Sequence, residues 1–158
     1  MGFVFATTAS LKVNASISAN NSIAWVEENF STSLSKLTLS TTDSYGYLKV
    51  SSNVHSYSLS FTATNLTGAN TNYTYNIAIT AASGTGVTGG DLDSSVSSGY
   101  SSEKSTTDPL TSHTFATITQ TSANVTGYKF AFKITDADWA TALKDDYTGT
   151  VAVTFTAS

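Results

Sequence analysis

Apolar and polar residues alternate along most of this chain, and the pattern starts close to its beginning. In Ser10–Ala19, Leu11, Val13, Ala15 and Ile17 are apolar while Lys12, Asn14, Ser16 and Ser18 are polar. An extended backbone with that pattern has one greasy face and one wet face. The same period returns in Ser56–Ala63 through Tyr57, Leu59, Phe61 and Ala63, and in Tyr73–Thr80 through Tyr73, Tyr75, Ile77 and Ile79. It returns again in Tyr128–Ile134 through Tyr128, Phe130, Phe132 and Ile134, and in Thr150–Phe155 through Val151, Val153 and Phe155. Ser22–Val26, Leu34–Ser40 and His113–Thr119 read as shorter or less regular strands. In Tyr45–Ser52 the apolar phase shifts at Gly46, which predicts a bulge or bend.

About nine strands separated by Asn, Gly, Ser and Thr turns are the signature of a sandwich or barrel. One segment has helical spacing. Thr135–Leu143 offers Thr135 or Asp136 as a cap, acidic residues in its first turn, and Trp139 and Leu143 on one face. It predicts a short helix that closes one end of the domain before the last strand. The Gly- and Ser-rich stretch 83–111, which holds the only proline, Pro109, reads as one or two exposed loops with room for a short edge strand.

Composition sharpens this picture. The chain has 158 residues, enough for one domain with a real core. Ser and Thr make up about a third of it, and charged residues only 11%, where about 25% is usual. Hydroxyls and amides therefore do the solubilising, as on many secreted and surface-displayed proteins. Arg is absent, seven lysines are scattered, and the net charge is −4. Nucleic-acid binding needs clustered cations, so composition argues against it. A basic membrane-surface role fails for the same reason. No apolar run approaches the ~20 residues that span a bilayer. Cysteine is absent, so there is no disulfide, thiol nucleophile or thiolate metal site. Val4-Phe5-Ala6 resembles a small-x-Ala leader cleavage site.

Candidate chemistry is sparse. The two histidines, His55 and His113, fall in a turn and at a strand start, and no Gly-x-Ser-x-Gly elbow accompanies the many serines. Glu27 and Glu28 are adjacent, so on a strand they would face opposite ways; a solvated turn is expected. No enzyme and no cofactor are expected. Asp91 and Asp93 form an Asp-x-Asp pair, the minimal start of a calcium loop without the rest of one. Tyr45, Tyr47, Tyr73, Tyr75 and Tyr100 could serve a glycan, although at strand spacing such rings usually fill a core. Asn-x-Ser/Thr acceptor patterns for N-glycosylation occur at Asn14, Asn20, Asn65, Asn72 and Asn124.

The two ends of the chain belong together. The last strand follows Asp145-Asp146-Tyr147-Thr148-Gly149 and runs out with Val151, Val153 and Phe155 on one face. An alternating N-terminal segment paired with such a C-terminal strand resembles the subunits of donor-strand-complemented surface fibres. The likeness is greatest to colonisation-factor-type fimbrial major subunits, and looser to archaeal thread subunits. The resemblance implies an immunoglobulin-like sandwich left one strand short and completed by the N-terminal extension of the next subunit. It assigns residues 1–18 as extension and 19–158 as sandwich. Leu11, Val13, Ala15 and Ile17 become the donor face, and Tyr147, Gly149, Val151, Val153 and Phe155 the receiving groove. The chain departs from many pilins in having no disulfide, and from the classical pilin in lacking a tyrosine just before the C-terminus. Donor and acceptor are different patches, so the contact propagates as a filament.

The expectation is therefore an all-β, immunoglobulin-like β-sandwich with one short helix. Its role would be that of a structural, adhesive subunit of an extracellular pilus or fimbria, polymerised with copies of itself and meeting a host or cell-surface glycan. A self-contained carbohydrate- or surface-binding module is the alternative, and a viral or phage structural protein a further one.

Overall fold

The computed structural model describes residues 14–68, 72–93, 100–101, 112–134 and 136–158. It is an all-β sandwich with one short helix. The larger sheet runs β1 (Asn21–Val26), β2 (Ser44–Ser52), β10 (Asn124–Ile134), β6 (Tyr75–Ala82) and β8 (Tyr100–Ser101), neighbours pairing antiparallel; β7 (Thr88–Gly89) lies parallel to β10. The smaller sheet runs β11 (Val151–Ala157), β3 (Ser56–Ala63) and β9 (His113–Thr119), also antiparallel. A two-residue ladder joins β4 (Leu66–Thr67) to β5 (Asn72–Tyr73), and α1 (Asp136–Thr141) sits between β10 and β11.

Period-two patterning builds this directly. Tyr57, Leu59, Phe61 and Ala63 of β3 face Leu48 and Val50 of β2, Tyr128, Phe130 and Phe132 of β10, and Ile77 and Ile79 of β6, all buried. Phe130 meets Trp25, Phe61 and Phe115 edge-on at 4.8, 6.2 and 5.5 Å, geometry that adds to area burial. Each such side chain contributes about 1.5–3 kcal/mol when taken out of water.

Two expectations are corrected. The ladder runs unbroken through Gly46, so there is no bulge there. Gly46 faces inward beneath Trp25, Phe132 and Leu34, where a Cβ would sit 3.3 Å from the Leu34 methyl. The irregularity lies instead in the β3–β9 pairing, at Leu59/Ser60. Leu34–Ser40 is not a strand. Its ends are tied elsewhere, Leu34 N–H to Trp25 O and Ser40 O to Ile134 N–H, and the segment crosses between them with Leu34, Leu37 and Leu39 half-buried.

A second, smaller core lies on the outer face of the large sheet. Val26, Phe30, Tyr47 and Val87 are buried there, with Ala82 and Val125 against them. Phe30 has φ 53°, rare for a bulky residue. Its ring needs the bare backbone of Gly84 and Gly127, where a Cβ would come within 2.6 and 2.7 Å. The Lys49 ammonium donates to Phe30 O at 3.0 Å. Glu27 and Glu28 fall in the turn that delivers Phe30, exposed as expected.

The sandwich has two distinct poles. At the turn pole lie the β2–β3 and β9–β10 turns, the start of β1, and the end of β11, where Ser158 N–H donates to Ser56 O. At the helix pole lie α1, the β4–β5 hairpin, the end of β10 and the start of β11.

Candidate assembly interface

The two edges of the small sheet are built differently. On the β9 side the chain passes from β7 to residues 90–93, and Asp93 N–H donates to Phe115 O at 2.9 Å. Leu92 packs on the core there. Since β7 continues the line of β6 on one flank of β10, β9 lies toward that flank, and β11 falls on the β1–β2 side.

β11 is the last strand of its sheet, and among the described residues nothing pairs with its outer edge. Its alternation aims Val151, Val153 and Phe155 inward, yet all three stay half-buried. Val153 lies opposite Phe61 and Phe155 opposite Leu59, and the Phe155 ring stacks on Tyr57 at 4.6 Å. Across the sandwich, the inward Ile23 and Trp25 of β1 are also only half-buried. Val151, Val153 and Phe155 thus form a half-buried apolar margin, the β11 seam, on the core that Ile23, Trp25 and, from the crossing segment, Leu37 and Leu39 also cover in part. No charge or proline interrupts β11 from Val151 to Ala157, so its edge carries none of the usual guards against strand addition.

The turn before β11 is fixed from several sides. Tyr147 donates to Leu143 O at 2.8 Å and meets the Tyr73 ring edge-on at 5.0 Å. Burial pushes its phenol pKa up, and the neighbouring Tyr73 and Asp145 act in the same direction. Gly149 passes close to the backbone, where a Cβ would sit 3.1 Å from Asn65 O and 3.2 Å from Thr64 O. The expected acceptor set Tyr147, Gly149, Val151, Val153 and Phe155 is thus contiguous, along one edge and its lead-in turn.

Of the expected donor face, Leu11 and Val13 lie outside the described residues. Ala15 and Ile17 lie on a segment, 14–20, that forms no strand and is exposed throughout; Ile17 is 87% exposed. The segment is tethered at its root. Asn53 Oδ1 accepts from Asn20 N–H at 2.7 Å, and Asn53 Nδ2 donates to Ser18 O at 2.9 Å.

Other candidates separate cleanly. Asp91 is exposed and Asp93 half-buried, and no group of three or more His, Cys, Asp or Glu gathers among the described residues. His55 sits in the β2–β3 turn with Nδ1 2.8 Å from Gln120 O, and His113 opens β9 beside Phe61, far from each other in role and place. The tyrosines do not form a row: Tyr47, Tyr73 and Tyr75 are buried, Tyr45 is 44% exposed with the Lys129 ammonium 3.8 Å over its ring, and the Tyr100 side chain lies outside the described residues. Among the sequons, Asn14, Asn20 and Asn124 are exposed, Asn72 is half-buried, and Asn65 is buried, out of a transferase's reach on the folded chain.

A pocket of about 390 Å³ at the helix pole was not singled out from sequence. Leu66, Tyr73 and Ile134 form its floor, and Trp139, Leu143 and Tyr147 its rim. Trp139 is 53% and Leu143 64% exposed, the i, i+4 pair that helical spacing had placed on one face. That pairing was the available signal, but it read as a core-facing stripe.

The chain matches no protein-family model, no curated protein and no solved structure.

Proposed function

We propose that this chain is a structural subunit of an extracellular surface filament assembled by strand exchange. In this reading the apolar face Leu11, Val13, Ala15 and Ile17 of one copy fills the seam beside Val151, Val153 and Phe155 of the next. The observation that carries it is the pairing of an unguarded, half-buried last strand with an alternating segment whose described part is not spent on its own domain. An added strand would satisfy the β11 edge backbone and place apolar side chains in the seam at once. The hydroxyl-rich, charge-poor composition suits an extracellular location, and an adhesive role follows from display on a surface.

The test is direct. Negative-stain microscopy and light scattering of the intact chain are expected to give filaments. Removal of residues 1–18 is expected to leave a folded monomer by circular dichroism, which binds a synthetic 10–19 peptide. An intact chain that stays monomeric, with a truncated chain that unfolds, would show that the segment completes its own domain.

A further inference from the structure

The two poles of the molecule carry complementary exposed apolar features. The extension leaves the body at the turn pole, rooted on Asn53. The Trp139–Leu143 pocket lies at the helix pole, and Tyr147 belongs both to its rim and to the lead-in of β11. The pocket thus lies at the approach to β11, with Tyr147 shared between them.

Chain length decides what can reach the pocket. Ile17 precedes the first residue of β1 by four positions, so it lies within about 14 Å of its own turn pole even when fully extended. In any strand exchange, Ile17 of the giving copy must sit near the pole through which its extension enters the receiving copy. Entering at the receiver's turn pole would bring two identical poles together, and both extensions could exchange reciprocally, closing a two-fold dimer. Entering at the helix pole stacks unlike poles and leaves the chain of contacts open.

We infer that the helix-pole pocket is the seat of Ile17 from a second copy. The incoming extension enters over Trp139 and Leu143, leaves Ile17 in the pocket, and runs on beside β11. This inference rests on the strand-exchange reading. It makes α1 and the turn after it part of the polymer contact, which explains why Trp139 on the helix and Leu143 just beyond it stand in the open.

The chain has no native cysteine, so a single introduced thiol reports on one place. With Leu143→Cys, maleimide labelling is expected to slow at least tenfold when filaments form, while Tyr45→Cys on the outer sheet face keeps its monomer rate. Leu143→Cys combined with Ile17→Cys is expected to give a ladder of disulfide-linked multimers on a non-reducing gel. Filaments in which position 143 labels as fast as in monomer would overturn the seating and leave strand exchange standing. A closed dimer with position 143 still reactive would do the same, by showing that the extension enters at the turn pole. A disulfide-linked product of monomer mass would place Ile17 in its own pocket. A chain that never assembles would remove the strand-exchange reading itself, and this inference with it.

Discussion

β9 and β11 flank the same central strand and each has seven residues, but β11 alternates cleanly while β9 is irregular, with Phe115 and Ala116 both turned into the core. On β9, Phe115, Ala116 and Ile118 are buried. On β11, Val151, Val153 and Phe155 are only half-buried. The strands differ in what lies beyond them. The β9 edge receives the Asp93 backbone and Leu92 from its own chain. The β11 edge has no strand paired to it among the described residues. Two strands of equal length on one central strand thus end differently, β9 with backbone from its own chain beside it and β11 with an unpaired edge among the described residues.

The largest expected difference tests that contrast by truncation. Phe115→Ala removes a ring that meets Phe61, Tyr128 and Phe130, and urea unfolding of the monomer is expected to show a loss of about 3–5 kcal/mol. Phe155→Ala, at the open edge, is expected to cost the monomer only about 1–2 kcal/mol, because that ring is already partly exposed. Equal losses would mean that β11 is as closed as β9. Polymer formation should reverse the ranking. Val153→Lys is expected to leave a folded monomer and to abolish filaments in sedimentation, since it puts a charge into the seam.

Alkaline pH probes the buried core. Burial pushes the Tyr75 phenol up to about 12, and pushes Tyr57 and Tyr128 up as well. Unfolded tyrosine titrates near ~10. Below about pH 10 both states keep the proton and stability is flat; above it the unfolded chain releases protons that the folded chain retains. Stability therefore falls between about pH 10 and 12, with Tyr75 alone accounting for roughly 2–3 kcal/mol of the loss. Urea midpoints across that range should fall less steeply in Tyr75→Phe, while Val153→Lys, which touches none of these phenols, should leave the slope as it was.

The strands were legible because period two is a local signal and the buried residues follow it, as in Tyr57, Leu59, Phe61 and Ala63. Three features were not legible, each because its cause is tertiary. Leu34–Ser40 has strand-like composition, but its ends are bonded to Trp25 and Ile134, which leaves it no ladder. Gly46 breaks the apolar phase as a bulge would, yet its cause is the Trp25 and Leu34 side chains above it. The helix-pole pocket depends on Leu66 and Tyr73 of one short hairpin meeting Ile134 from the far end of β10, much further along the chain. Strand β11 was readable as a pattern, while its place at an unpaired sheet edge was not, since edge position depends on strand order and not on alternation.

The smallest expected effect concerns a flaw on the finished side. The Tyr128 hydroxyl is buried among the described residues without a hydrogen-bond partner, packed under Gly90, where a Cβ would come within 2.2 Å of the ring. The nearby Thr126 hydroxyl lies 3.4 Å from the Tyr57 hydroxyl instead. A buried donor left unmade carries its desolvation cost with no return, so removing the oxygen is close to free or better. Tyr128→Phe is therefore expected to be neutral or to stabilise the monomer by up to about 1 kcal/mol, whereas Tyr57→Phe loses its contact with Thr126 and is expected to cost about 0.5–1 kcal/mol. Neither hydroxyl borders the β11 edge, so filament formation should be unchanged in both. A large loss in Tyr128→Phe would mean that the finished side holds a buried water bonded to that hydroxyl. The packing that separates β9 from β11 would then be partly polar.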